Sequence, residues 1–190
     1  PTAASPFSDA MAEKAMELIG ENIRRFVANR TDVEAAEAMM VGSLFAGIAF
    51  SFARLGNVHA MSHPVSAFFD VPHGVANAVL LPVVAEYNAL ADHGRYYKIY
   101  NYISEIPAYE DEFEPMMLVD AIRSLCKAIG IPANLTEAIN QAGKTGSISR
   151  ETIEEKIEAM AADAMKSGNI AVNPRSSRQC DIEMLYRKAL

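Results

Sequence analysis

The stretch TDVEAAEAMMVGSLFAGIAFSF, residues 31–52, decides the fold class. Thr31 followed by Glu34 reads as a capping box, in which each side chain serves a backbone N–H at the helix start. Asp32 adds negative charge in the first turn, where the helix dipole favours it. From Ala35 onward apolar residues fall on every side instead of alternating. The pattern therefore predicts a helix running to about Phe52, in the middle of the domain with neighbours all round. The longest apolar run, Ala38 to Phe52, is shorter than the roughly 20 residues a bilayer span needs, and it contains Gly42, Ser43 and Gly47. It reads as a buried helix, with no membrane partner.

Upstream, Ser8 is placed to cap a helix whose Met11, Ala15, Ile19, Ile23, Phe26 and Val27 form one apolar stripe. Downstream, residues 55–88 are rich in His, Pro and Gly and read as two short helices. A Tyr-rich segment follows at 96–100, then an acidic, solvated connection from Tyr109 to Glu114. Pro115 suits the first position of an amphipathic helix carrying Leu118, Ile122, Leu125, Cys126 and Ile129, which Gly130 and Pro132 end. Asn134 with Glu137 caps a short helix ended by Gly143. Ser149 introduces a charged helix with Ile153, Ile157, Met160 and Met165 inward, closed by Gly168. The tail from Asp181 to Leu190 makes a last helix on Ile182, Leu185 and Tyr186. No run alternates as a half-buried strand would, and no internal repeat appears. The prediction is an all-α, multi-helix domain spanning 1–190.

Composition narrows the partners. With 51% hydrophobic and 22% charged residues the chain can bury a large core, outside the regime of disorder. A net charge of −7 argues against a nucleic-acid surface, since no basic cluster offsets phosphate repulsion. Cys126 and Cys180 are too few for a disulfide framework, which suits a reducing cytoplasm. The opening residues, Pro1 to Pro6, lack the basic and apolar regions of a signal peptide and a starting Met, so the chain is expected to begin partway through a longer protein.

The chemistry lies in GNVHAMSHPVSAFFDVPHG, residues 56–74, which holds three of the four histidines. His59 and His63 are four apart, hence on one face of a helix, with Pro64 tolerable near its first turn. His73 sits at the opening of the next helix. Neutral imidazoles from two helices suit a first-row divalent metal such as iron, zinc or nickel. A catalytic ion usually needs three protein ligands and an open position, and the nearest carboxylate is Asp70, with Glu86 a helix away. These residues alone make an incomplete site, and a lone histidine among them would more often be a core or capping residue. Elsewhere the bland readings hold: Met39, Met40, Met116 and Met117 as core filler, His93 in a loop, Glu154 and Glu155 on a solvated face, Cys126 as a small buried hydrophobe.

Three strings, AGIAFS at 46–51, LGNVHAMSHPV at 55–65 and PHGVANAVLLP at 72–82, with Asn173-Pro174-Arg175 near the end, resemble the signature of the iron-containing, NAD-dependent alcohol dehydrogenases. The resemblance covers essentially the whole chain. It implies the family's C-terminal, dehydroquinate-synthase-like helical domain, with His59 and His73 as metal ligands. His63 would lie beside nicotinamide and substrate as a proton relay or orienting group, and Phe50 would face the substrate pocket. The implied cofactors are Fe(2+), with zinc or nickel as alternatives, and NAD(P). The implied chemistry is hydride transfer between an alcohol and its aldehyde or ketone, aided by a Lewis-acidic ion. The family's other two ligands, an Asp and a His four residues later, and its nucleotide-binding domain would both precede residue 1. The chain contains no glycine-rich phosphate-binding turn. Ser66 stands where the family usually has Gly, which would narrow the backbone approach to the cleft, and Asn169 where a Cys is common. The isolated chain is expected to be inactive and to bind metal weakly at best, and the resemblance implies a homodimer. The alternatives are a non-enzymatic helical domain, or one in which the ion only staples helices.

Overall fold

The computed structural model describes residues 1–143 and 147–190. Its regular elements there are α-helices and short 3-10 turns, without strands. The helices are α1 (Pro6–Ala28), α2 (Val33–Ala53), α3 (Asn57–Phe69), α4 (His73–Asn88), α5 (Arg95–Ile103), α6 (Pro115–Ala128), α7 (Leu135–Ala142), α8 (Arg150–Glu154), α9 (Ile157–Met165) and α10 (Gln179–Ala189).

The helix boundaries differ from the sequence expectation at three places. The cap of α1 is Ser5, not Ser8: the two serines exchange backbone-to-hydroxyl bonds, Ser5 N–H to Ser8 Oγ at 2.8 Å and Ser8 N–H to Ser5 Oγ at 3.3 Å. Pro6 is compatible with the first helical position, so the helix starts earlier than Ser8 suggests. In α2 the cap is Asp32, whose carboxylate accepts from Ala35 N–H at 3.0 Å. Thr31 is drawn the other way, its hydroxyl and N–H both donating to Asn29 Oδ1. The helix introduced by Ser149 is broken into α8 and α9 near Glu155, and it ends at Lys166, short of Gly168.

The main core gathers α3, α4 and α7 to α10 around Met61, Leu80, Leu135, Ile153, Met160 and Leu185. A second cluster joins α4 to α5 and α6 through Ala85, Tyr100, Leu118, Val119 and Ile122, with Cys126 packed beside it. α1 and α2 form a hairpin, closed at one end by Phe7 edge-on to Phe52 at 5.2 Å. Close approach fixes its packing. A Cβ on Gly42 would meet Ile19 Cγ1 at 2.8 Å, and one on Gly20 would lie 2.1 Å from the Tyr102 carbonyl oxygen of α5.

Helix α2 is not in the middle of this domain. It packs chiefly on α1, and Met40 and Leu44 are 75% and 61% exposed. At 21 residues and mean hydropathy 1.5 it is also longer than the apolar run suggests, and by length and composition it could cross a bilayer, as could 73–91. Apolar residues all round report what a helix can bury, not what lies against it. Met40 and Met116 are likewise surface residues rather than core filler.

Helix α3 is held by a polar network at its start and an aromatic anchor along its length. Asn173 Oδ1 accepts from the fully buried Asn57 N–H at 3.1 Å and from Asn88 Nδ2 at 3.2 Å. Its Nδ2 donates to Asn88 Oδ1 at 2.8 Å and to the Arg175 carbonyl at 2.7 Å. The Arg175 guanidinium lies 3.9 Å over the Tyr87 ring and donates to the Tyr87 carbonyl. The Asn-Pro-Arg segment thus ties the start of α3 to the end of α4. From α10, the fully buried Tyr186 donates to the Met61 carbonyl at 2.6 Å. Pro64 lies inside α3, not near its first turn. A proline there removes a rung of the ladder, so surrounding packing must hold the helix.

Candidate metal centre

Two helices bring the three histidines together. His59 lies in the first turn of α3, His63 one turn on, and His73 opens α4 behind Pro72. The connection from Asp70 to Pro72 turns sharply because Asp70 ends α3 in the left-handed region, at φ 56. The ring centroids of His59 and His73 are 5.1 Å apart, those of His63 and His73 5.2 Å and nearly parallel, and those of His59 and His63 6.3 Å. His63 and His73 are exposed, while His59 is half-buried.

A residue that sequence reading passed over sits between them. Asn77 Nδ2 lies 3.2 Å from His59 Nε2 and 3.0 Å from His73 Nε2, so both ring nitrogens face one point. Asn77 follows His73 by four residues on α4, and that helical spacing was the available signal. Its carbonyl oxygen Oδ1 is buried without a hydrogen-bond partner among the described residues. Burial, reinforced by repulsion from His73 and His63, pushes the His59 imidazole down to about 4. It is therefore neutral near pH 7, with one ring nitrogen bearing hydrogen and the other a lone pair.

These donors fit a divalent ion as part of a coordination shell. Two imidazole nitrogens converge on one position, which is borderline-soft chemistry suited to iron, zinc or nickel. No group of three His, Cys, Asp or Glu side chains is placed to hold an ion among the described residues. Glu86 is engaged elsewhere, pairing with Arg123 of α6 and Lys188 of α10. Phe50 sits in the last turn of α2, about half exposed. Ser66, in the third turn of α3, carries a buried hydroxyl with no hydrogen-bond partner among the described residues.

Fold and site define an all-helical domain that presents a histidine cluster between two consecutive helices. The chain belongs to the iron-containing alcohol dehydrogenases: the family model described as "Fe-containing alcohol dehydrogenase family, C-terminal" matches residues 1–190. It is 37% identical over 187 residues to the 1,3-propanediol dehydrogenase of Citrobacter freundii, covering 98% of this chain and 45% of that one. It is 35% identical over 183 residues to the lactaldehyde reductase of Escherichia coli (strain K12), covering 96% and 44%. A crystal structure of a 1,3-propanediol oxidoreductase superposes with a TM-score of 0.85 at 37% identity, covering 99% of this chain and 46% of the other. The chain spans a little under half the length of the relatives it matches.

Proposed function

We propose that this chain is the metal-holding part of an NAD(P)-dependent alcohol dehydrogenase, which interconverts a primary or secondary alcohol and its aldehyde or ketone by metal-assisted hydride transfer. The observation that carries the reading is the convergence of His59 Nε2 and His73 Nε2 on one point, 3.2 and 3.0 Å from the same amide nitrogen. His59 and His73 would hold Fe(2+), and the same donors suit zinc or nickel. When bound, the ion supplies Lewis acidity toward the substrate oxygen.

The chain's own residues do the rest of its share. His63 is exposed and stacked against His73, so it can take the hydroxyl proton at one ring nitrogen and release another to solvent. Phe50 offers an exposed ring as a wall for the substrate's carbon chain. The nucleotide site and the remaining ligands would be supplied from outside these residues by a nucleotide-binding half, a reading supported by the chain covering only 45% of the 1,3-propanediol dehydrogenase it matches. By itself the chain turns over no alcohol with NAD(P), because two ligands leave the ion under-coordinated. We place the protein in the cytoplasm, where its two free cysteines suit a reducing environment, and as a homodimer by family resemblance.

The test is metal content by elemental analysis, together with titration by Fe(2+) or Zn(2+), of the chain and of a His59→Ala, His73→Ala double variant. Weak but saturable uptake on titration, abolished in the double variant, is expected. Equal uptake in both proteins would sink the assignment, and metal-dependent NAD(P) turnover by the chain alone would sink the claim that it is inactive.

A further inference from the structure

Ser62 is placed to choose which nitrogen of His73 carries the proton. It lies on α3, three residues after His59, and is fully buried, so water cannot take the place of its partners. Its hydroxyl donates to the His59 carbonyl at 3.2 Å, and the same Oγ lies 3.4 Å from His73 Nδ1. A hydroxyl has one hydrogen and two lone pairs. A carbonyl can only accept, so when the hydrogen serves the His59 bond, what Ser62 presents to His73 is a lone pair. Both bonds form together only if His73 carries its hydrogen on Nδ1, which leaves Nε2 as a bare donor pointing at the position it shares with His59 Nε2.

Asn77 does not make this choice. Its carboxamide offers two donors on one side and an acceptor on the other, and a half-turn about its last bond would satisfy either state of Nε2. Its Oδ1 has no partner to resist that turn. Ser62 differs, because turning its hydrogen toward His73 Nδ1 would give up its bond to the His59 carbonyl.

We infer that Ser62 is the positioning residue that holds His73 in the Nδ1–H tautomer, so that Nε2 stays free to bind a metal ion. The metal half of this statement rests on the function proposed above, whereas the tautomer half stands without it. Groups that hold the far nitrogen of a metal-ligating histidine typically contribute about tenfold to a hundredfold to metal affinity. Ser62 is set to do this from α3 for a ligand on α4, linking the two helices through the ligand pair itself.

The experiment has two arms, both on the full chain. The first reads the His73 tautomer from two-bond 1H–15N correlation spectra of the metal-free protein at about pH 8, where an ordinary imidazole is neutral. In the parent, His73 should show a protonated Nδ1 and a bare Nε2. In Ser62→Ala, where alanine keeps the helix, the signals should move toward the Nε2–H form. In Ser62→Thr, which retains the hydroxyl, the parent pattern should return. The second arm measures Zn(2+) affinity by calorimetry, with a loss of about tenfold or more expected in Ser62→Ala. His73 already carrying its hydrogen on Nε2 in the parent, or keeping it on Nδ1 in a folded Ser62→Ala, would overturn the inference. If Ser62→Ala does not fold, a folded Ser62→Thr with a mixed tautomer overturns it equally, and one with the parent pattern supports it. A parent that takes up no Zn(2+) would count against the proposed metal site, while the tautomer arm would still decide the role of Ser62.

Discussion

Replacing Asn173 with alanine should loosen the start of α3, and with it the histidine pair. The side chain makes four hydrogen bonds, at 2.7, 2.8, 3.1 and 3.2 Å, to Arg175, Asn88, Asn57 and Asn88 again. A net value of about 1 kcal/mol each gives roughly 4 kcal/mol. The Asn57 N–H is the decisive partner. It belongs to the first residue of a helix, has no acceptor within the helix, and is fully buried, so its loss is not repaired by water. The expected loss is therefore about 4 kcal/mol, or a fall in Tm of roughly 8–16 °C for a chain of this size. Urea denaturation followed by far-UV circular dichroism measures it. Asn88→Ala is the internal control: it removes only the two bonds between Asn88 and Asn173 and should cost about half as much. Asn173→Asp keeps the acceptor but turns both donations into oxygen–oxygen contacts, so it should resemble alanine rather than the parent. A loss of under about 1 kcal/mol in Asn173→Ala would refute the view that this network anchors α3.

Three further outcomes follow from the packing and charge described above. Gly20→Ala places a Cβ 2.1 Å from the Tyr102 carbonyl oxygen and should force α1 from α5 at a cost of about 1–3 kcal/mol, against the usual stabilising effect of alanine in a helix; an unchanged Tm would contradict that contact. Arg54 ends α2 at φ 59, ψ −167, a region costly for a side chain, so Arg54→Gly should raise stability by about 1 kcal/mol in urea denaturation, and a loss would show that the arginine's contacts outweigh the strain. Lys188, with Arg123, holds the Glu86 carboxyl below the usual carboxylate range. The folded state then binds its proton less readily than the unfolded state, so this stabilisation is present above about pH 4.5 and is lost as pH falls through the lowered value. Glu86→Gln should flatten that acid limb of the stability profile while costing under about 1 kcal/mol near neutrality; an unchanged acid limb would show that the pair contributes nothing.

Much of the fold could be read from the chain because helix signals are local. The caps at Asn134 and Ser149 act on the N–H groups at helix starts, and the stop at Gly130 follows from its φ of 78, all within one turn of sequence. The stripes on α6 and α10 faced inward as their spacing predicted, with Leu118, Ile122, Ile182 and Leu185 buried. Where two residues competed for one cap, as Thr31 and Asp32 did, local pattern could not rank them. The ranking depended on Asn29, which captures the Thr31 hydroxyl.

The sequence by itself determined the all-helical class, the family, and the histidines brought together at the junction of α3 and α4, because spacings of four residues and a single turn constrain distance without reference to the rest of the chain. Only the tertiary structure decided what lies against α2, since an apolar surface specifies that it favours burial and not which segment buries it. It alone placed Asn77 between two ring nitrogens and Ser62 beneath a third, because a hydrogen bond between side chains on different helices depends on the angle at which those helices meet. The bonds that tie α3 down come from Asn173 and Tyr186, residues more than 100 positions away in the chain.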